Sequence, residues 1–270
     1  MLPDAMGILR YALLTGATGT IGEAIARGVA KRMDFLLWLA CRDTKRGEHT
    51  AARIREATGN DEVYVEHVDL ASPRSIDALR RRWDKPVHLL VNCAAVAPRS
   101  REVSEDGVEL QLAVNVLGYL RMIDRFADAM PGKLDARVVN VASYWAGDLD
   151  VSDLEFTRRP YDNNTAYRQS KQANRMLTVA DAKRLAPREI KVNACHPGDA
   201  NSTLSNALGF GGHESPDQAA ATPLRVGLDH TLHDCTGAYF EHGEARPDRF
   251  AEDLDAIAAL ETACRAYDCG

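Results

Sequence analysis

Residues 11–22 read Tyr11-Ala12-Leu13-Leu14-Thr15-Gly16-Ala17-Thr18-Gly19-Thr20-Ile21-Gly22. Tyr11 to Leu14 is an apolar, strand-like run. Three glycines then punctuate a turn, and Ala24, Ile25, Ala26 and Val29 follow on a helical pattern. Strand, glycine-rich turn and helix form the context in which backbone N–H groups hold a pyrophosphate. The helix dipole favours the anion, and missing Cβ atoms let it come close. A glycine cluster alone is weak evidence, but these flanks put phosphate binding ahead of a plain turn.

The alternation continues downstream. Phe35–Cys41 reads as a second strand, and Ala51, Ile54 and Ala57 mark the next helix. Val63–Val68 is a third strand, ending at Asp69-Leu70. Ser72-Pro73 starts a helix through Ile76, Leu79 and Trp83, with serine as cap and proline at its first position. Val87–Val91 is a fourth strand that ends at Asn92, and Leu110, Val114, Leu117 and Ile123 pattern a long helix around Asn115. Arg137–Val141, a fifth strand, leads to Ser143, and Ile190–Cys195, a sixth, ends at His196-Pro197-Gly198. Gly237–Phe240 reads as the final strand, before a helix with Leu254, Ile257, Leu260 and Ala263.

Strands this apolar, alternating with helices, predict an α/β fold of Rossmann type. Its doubly wound parallel sheet has about seven strands, with helices on both faces. No linker, charge block or repeat divides the chain, so a single domain over residues 1–270 is expected. Gly209–Pro216 reads as a mobile surface loop.

The net charge of -6 gives no reason to expect nucleic acid or an anionic membrane as partner. No apolar run approaches the roughly 18 residues of a membrane helix. Met1–Arg10 is too short and too weakly apolar for a signal peptide. These readings predict a cytoplasmic protein. The cysteines at 41, 93, 195, 235, 264 and 269 show neither Cys-x-x-Cys nor zinc-like His/Cys spacing, so no metal and no disulfide framework are expected. Cys41, Cys93 and Cys195 fall in strand-like runs, as small buried hydrophobes do.

Ser143, Tyr167 and Lys171 carry the candidate chemistry. Tyr167 to Lys171 reads as the first turns of a helix, and residues four apart share a face. A phenol titrates near ~10. A neighbouring ammonium lowers that pKa, and a serine hydroxyl beside it completes a group able to exchange a proton with a carbonyl or alcohol oxygen. The bland reading of Tyr-x-x-x-Lys is a surface pair.

Taken together the residues resemble the short-chain dehydrogenase/reductase family over essentially the whole chain. The matches are Thr15-Gly16…Gly22, Asp69, Asn92-Cys93-Ala94-Ala95, Asn115, Ser143, Tyr167/Lys171 and Pro197-Gly198, in the family's order. Leu39-Ala40-Cys41-Arg42, Glu105 to Glu109, Asn115 to Gly118, Tyr167 to Asn174 and Gly237 to Phe240 are similar to the retinol-dehydrogenase-like branch. So is the long gap between Ser143 and Tyr167. Membrane-bound members carry an N-terminal anchor, and none is read here. Two positions depart from the family. Thr20 stands where a glycine is usual, and, being β-branched, tolerates positive φ poorly, so a locally different turn is expected. Ala95 replaces the glycine of Asn-Asn-Ala-Gly.

The resemblance implies hydride transfer between a nicotinamide and a carbonyl or alcohol carbon. Tyr167 would be general acid in reduction and base in oxidation. Lys171 would lower its pKa and hold the nicotinamide ribose. Ser143 would bond the substrate oxygen, and Asn115 would support a water-linked proton path. Gly16, Thr18, Gly19, Thr20, Ile21 and Gly22 would form the cofactor turn. Asp69, next to Leu70, would accept from the adenine amino group, its bland reading being a helix cap. Asn92 and Ala94 would line the adenosine ribose, and Gly198 and Ala200, after Pro197, would approach the carboxamide through backbone atoms. Ser202 or Thr203 would add a hydroxyl.

At the end of the second strand, NAD sites place an acid and NADP sites an arginine. Cys41-Arg42 stands there, so NADP(H) is favoured over NAD(H), with Thr18 adding a hydroxyl and Asp43 opposing Arg42. Tyr144, Trp145 and the segment Asp148 to Tyr161 are expected to wall a pocket for a small to medium lipophilic substrate. Segments 146–163 and 200–220 are the expected substrate loops. His196 reads as a satisfied strand-end histidine. Rival readings are a nucleotide-binding regulator or scaffold without chemistry, and a sugar-nucleotide epimerase suggested by the Gly-x-x-Gly-x-x-Gly spacing. A homo-oligomer is left open.

Overall fold

The computed structural model describes residues 9–268. Residues 1–8, at the head of the stretch weighed above as a signal peptide, and Cys269 lie outside them. Strands β1 (Arg10–Thr15), β2 (Phe35–Cys41), β3 (Val63–His67), β4 (Leu89–Asn92), β5 (Arg137–Val141), β6 (Lys191–Cys195), β7 (Tyr239–Glu241) and β8 (Glu244–Arg246) form one sheet. Their order is β3-β2-β1-β4-β5-β6-β7-β8. The first seven pair in parallel, and β8 runs antiparallel to β7. The order reverses between β1 and β4, which opens a crevice at their C-terminal ends.

The α/β expectation holds, with one strand more than expected. β8 follows β7 through His242 and Gly243, both at positive φ (50° and 77°), as a two-residue hairpin turn requires. Its three residues are exposed and polar, so no apolar pattern announced it.

The helices are α1 (Thr20–Ala30), α2 (Thr44–Thr58), α3 (Pro73–Arg82), α4 (Gly118–Phe126), α5 (Asn163–Leu185), α6 (Thr203–Ala207), α7 (Pro216–Leu228) and α8 (Leu254–Arg265). Side chains alternate across a strand. Accordingly Ala12 and Leu14 of β1 join α1, α2 and α7 in one core, while Leu13 joins α3, α4 and α5 in the other. A third layer lies outside α5. Leu112, Leu117, Leu154, Met176, Leu177, Ile257 and Leu260 pack together there, so α8 and the segment around Leu154 cover the outer face of α5.

The long helix expected around Asn115 is two pieces. Leu112–Leu117 is π-helical and α4 continues it. Two helices escaped the sequence reading. α6 is one turn long. α7 is capped by Ser215, whose hydroxyl accepts from the Gln218 N–H at 3.2 Å, but its apolar face is mostly alanine and it contains Pro223, which reads as a breaker. Residues 209–215, expected as a loose loop, are tied down. The His213 and Glu214 N–H groups donate to the Asp199 carbonyl at 2.7 and 3.0 Å.

A buried ion pair fastens the chain's last third to α5. Arg175 donates to both carboxylate oxygens of Asp248, at 3.0 and 2.7 Å. Each side chain keeps 7% of its surface, and the guanidinium lies 3.6 Å from the Tyr239 ring centroid. Removing one partner leaves an uncompensated buried charge, which costs about 3–5 kcal/mol. Asp248→Asn is therefore expected to lower unfolding stability by about 3 kcal/mol in chemical denaturation. A loss within error of zero would show that the pair carries no such weight.

Candidate active site

The glycine turn lies at the crevice. Gly16 has φ 77°, and a Cβ there would stand 2.6 Å from the Ala94 backbone after β4. A Cβ on Gly22 would stand 2.1 Å from the Gly16 carbonyl oxygen. Both positions therefore exclude any other residue. Gly19, the N-cap of α1, is exposed, has φ −91°, and supplies no side-chain cap, so the first N–H groups of α1 stay available to an anion. Thr20 is the first helical residue and needs no positive φ, so the distortion expected there is absent. Ile21 turns its side chain to the core. The turn thus fits a dinucleotide pyrophosphate.

At the end of β2, Cys41 donates to the Asp43 carbonyl at 3.3 Å, and burial pushes its thiol up to about 11, so the position is neutral. Asp43 is the N-cap of α2, its Oδ1 accepting from the Arg46 N–H at 3.0 Å. The Arg46 guanidinium reaches back to the Thr18 carbonyl at 3.4 Å. Arg42 is exposed and makes no hydrogen bond or ion pair among the described residues. Arg46 is thus held at Thr18, and Arg42 stands exposed directly after β2. The sequence reading missed Arg46, although it lies four residues after Arg42 at the start of a helix.

Asp69 combines both readings made of it. Its Oδ1 accepts from the Ala71 N–H at 2.9 Å as a turn cap, and its Oδ2 makes no hydrogen bond among the described residues. Leu70 is buried against Gly118, where a Cβ would come within 2.9 Å of the Leu70 Cβ, so its side chain packs in the core. Asn92 ends β4. It is fully buried, and its amide donates to Asn140 at 3.0 Å, so its side chain does not line a ribose. Ala94 is half-buried, and its carbonyl accepts from the Tyr119 hydroxyl at 2.9 Å.

Gly198 has φ 139°, and a Cβ there would meet the Ala219 Cα at 2.9 Å, packing the Pro197-Gly198 turn against α7. Ala200 is buried and bridges to Glu214. Ser202 is spent as the cap of α6, accepting from the Ser205 N–H at 3.0 Å. Thr203, exposed at the first helical position, keeps the freer hydroxyl.

The long α5 starts at Asp162, whose carboxylate accepts from the Thr165 N–H at 2.8 Å. Tyr167 and Lys171 follow on one face, both buried. Lys171 Nζ donates to the Val141 carbonyl at 2.8 Å and lies 5.5 Å from the ring centroids of both Tyr119 and Tyr167. Burial lowers its pKa to about 8. The expected lowering of the Tyr167 pKa is not found. Burial raises it, and a hydrogen bond with the Ser143 hydroxyl opposes that rise without overcoming it. The ammonium lies over the ring face and is committed to a carbonyl, and burial of the phenol is the dominant influence on Tyr167. Ser143 Oγ also accepts from the Trp145 N–H at 3.0 Å.

Asn115 is buried in the π-helical turn. Its Oδ1 accepts from the Val96 N–H at 2.9 Å, and its Nδ2 donates to the Val96 carbonyl at 3.0 Å and to Ser170 Oγ at 3.2 Å. The side chain is therefore used to hold the segment after β4. Gln111 braces the same region, donating to the Tyr161 hydroxyl at 2.9 Å, and that hydroxyl donates to the Pro98 carbonyl at 3.2 Å.

An apolar cluster packs around Tyr167. Ala97, Tyr167 and Leu208 pack with Trp145, Leu204 and Phe210, and Trp145 meets Phe210 edge-on at 5.6 Å. Leu204, Leu208 and Phe210 lie in the expected substrate loop 200–220 but were not singled out there, and Ala97 was not read at all. Only the Leu204/Leu208 spacing was a signal. Tyr144 is 49% exposed and points its hydroxyl to Asp199 at 3.2 Å. Most of the insert expected to wall the pocket packs elsewhere. Leu149, Val151 and Leu154 lie against α5 and α8, and Asp153 organises the loop by accepting from the Thr157 N–H at 2.8 Å. His196 is not satisfied as expected, for its Nδ1 is buried without a partner.

This crevice, with its glycine turn and its Ser143–Tyr167–Lys171 group, defines a nicotinamide dinucleotide-dependent oxidoreductase. The family described as short chain dehydrogenase matches residues 10–209, and the chain belongs to that family. It is 34% identical to retinol dehydrogenase 13 of Mus musculus, over 93% of this chain and 81% of that protein. It is 32% identical to a Streptomyces antibioticus protein named "Probable oxidoreductase", over 90% of this chain and 89% of that one. A solved structure from Mycobacterium paratuberculosis superposes with a TM-score of 0.78 at 26% identity, covering 95% of this chain and 92% of that one. The chain is thus a retinol-dehydrogenase-like member of the family.

Lys171 gives a pH signature. Its folded pKa lies below the 10.5 of a free lysine side chain, so between the two the unfolded state binds more protons and stability rises with pH. Below the folded pKa the full penalty of a buried ammonium is present. Relative to Lys171→Met, the wild type is expected to gain roughly 2 to 3 kcal/mol between about pH 7 and about pH 10. Urea unfolding of both proteins at the two pH values checks this, and parallel curves would contradict the buried, depressed ammonium.

Proposed function

We propose that the chain is an NADP(H)-dependent carbonyl reductase or alcohol dehydrogenase acting on a small to medium lipophilic ketone, aldehyde or alcohol. One observation carries the reading. The Tyr167 phenol, paired with the Ser143 hydroxyl, is buried against an apolar cluster at the C-terminal edge of the parallel sheet.

When bound, the nicotinamide supplies or takes the hydride. The chain's own residues handle the rest. Burial keeps Tyr167 protonated, so it holds the proton that a reduced carbonyl oxygen needs. Ser143 donates to the same oxygen and orients it. Lys171 spends one of its three N–H groups on Val141, leaving others for the nicotinamide ribose. Asn115 holds Val96 with its side chain, so its part in a proton path falls to its backbone carbonyl, in a π-helical turn where the usual partner is displaced.

NADP(H) is favoured because the usual acidic position is the neutral Cys41, the exposed Arg42 follows it, and Arg46 reaches Thr18. The aromatic and aliphatic lining, Trp145, Phe210, Leu204 and Leu208, suits a ring-bearing substrate. A cytoplasmic location fits the cysteines, since the five described are all unpaired. Among the described residues no helix is long and apolar enough to cross a membrane.

Tyr167→Phe is expected to cut turnover about a thousandfold or more while dinucleotide affinity stays within about threefold, read by NADPH oxidation and by fluorescence titration. Near-native turnover would refute the acid/base assignment. The pair Arg42→Ala and Arg46→Ala should each weaken NADPH about 10- to 100-fold and leave NADH almost unchanged, because each guanidinium would bond a phosphate that NADH lacks. Equal losses for both cofactors would instead favour a merely structural role.

A further inference from the structure

A carboxylate stands beside the Ser143–Trp145 turn, and the chemistry described so far does not use it. Asp199 follows the Pro197-Gly198 turn, and its Oδ2 accepts from the Tyr144 hydroxyl at 3.2 Å. Tyr144 lies between Ser143 and Trp145. The bond therefore ties the Ser143–Trp145 turn to the segment that goes on to Leu204, Leu208 and Phe210, the opposite wall. The backbone of Asp199 is held on both sides. Its N–H donates to the Glu214 carboxylate, and its carbonyl accepts from the His213 and Glu214 N–H groups at 2.7 and 3.0 Å.

The charge has no strong counter-ion. Among the described residues no lysine or arginine pairs with Asp199, and the nearest basic group is His196, whose Nε2 lies 3.9 Å from Oδ1. That imidazole is held neutral at neutral pH. Burial lowers its pKa, its Nδ1 is buried without a partner, and the Tyr144 ring packs edge-on against it at 4.5 Å. Glu214 and Glu241 add further negative potential at His196. The arginines nearby are already paired, Arg168 with Asp148 at 2.7 Å and Arg175 with Asp248 at 2.7 Å. Asp199 keeps 25% of its side-chain surface, so it is accessible. It also acts electrostatically on the Tyr167 phenol, which puts it within range of the reacting centre.

We propose that Asp199, held by Tyr144, is a specificity-determining residue that selects ring-bearing carbonyl or alcohol substrates carrying an ammonium group and turns away carboxylates. This rests on the function proposed above. The apolar lining takes the ring, and the carboxylate meets a cation on its far side. An ammonium there gains from a charge in a partly apolar wall, where the effective dielectric is well below that of water, and a carboxylate is repelled to a similar degree. Added salt weakens the preference without abolishing the apolar contribution.

Two ring-bearing ligands of opposite charge test it. Binding of benzyltrimethylammonium and of benzoate to the protein with NADP+ is followed by tryptophan fluorescence at low salt. The ammonium is expected to bind about tenfold more tightly, with the ratio falling towards one in Asp199→Asn, or in Asp199→Ser should the first variant not fold. Tyr144→Phe keeps the charge and is expected to keep the preference. Turnover of the para-(dimethylamino)methyl and para-carboxy derivatives of benzaldehyde, each against benzaldehyde, should follow the same order. Benzoate binding as tightly as the ammonium, or a ratio unchanged in both Asp199 variants, would overturn the proposal. If no aldehyde is reduced while the ligand preference holds, the carbonyl-reducing reading fails and the charge selection stands.

Discussion

The burial of the Lys171 ammonium is the constraint on which the site depends. A charge cannot be taken out of water without replacement partners. Here the partners are the Val141 carbonyl at the end of β5 and the ring faces of Tyr119 and Tyr167. Each comes from a different element, so α5, β5 and α4 must all be in register for the charge to be tolerated. The same arrangement places Tyr167 beside Ser143, one residue past Ala142 on the β5 exit. Burial then moves the two groups in opposite directions, the phenol up and the ammonium down. The result is a tyrosine that stays protonated beside a serine hydroxyl.

That arrangement needs α5 to be rigid and dry. The sheet covers one face of the helix, and α8 with the segment around Leu154 covers the other. The bidentate Arg175–Asp248 pair locks this outer layer. On the other side of the crevice, Asn115 and Tyr161 hold the Val96–Pro98 segment by its backbone groups. Polar side chains that look catalytic in a sequence therefore also serve as scaffold. Asn92 is the extreme case, with its amide committed to Asn140 and no surface left for a ligand.

Much of this was legible because local patterns and long-range roles agree. Tyr11–Gly22 could be read from strand, turn and helix chemistry, and the close approaches at Gly16 and Gly22 show why those two positions accept nothing larger. The Tyr167/Lys171 pair could be read from helical spacing. Other features left no such trace. β8 is polar and exposed, α7 carries Pro223 and a face of alanines, and Phe210 sits in a glycine-rich stretch that reads as loop. The insert before Tyr167 was read as pocket wall because it follows Ser143. Its apolar residues instead complete the outer layer on α5, a partnership set by α8, far along the chain.

The sequence by itself determined the element order, the parallel α/β architecture, the glycine turn and the identity of the groups that can do chemistry. These depend on periodicity, on caps and on residues that only one backbone conformation accepts, all local properties. The tertiary structure decided which of those groups face one another. It turned Lys171 onto Val141 and the ring faces rather than the phenol oxygen, withdrew Asn92 into the core, and brought Arg46 to Thr18 and Asp199 to Tyr144. Protonation states and pocket walls depend on burial and on neighbours distant in the chain, and only packing in three dimensions sets those.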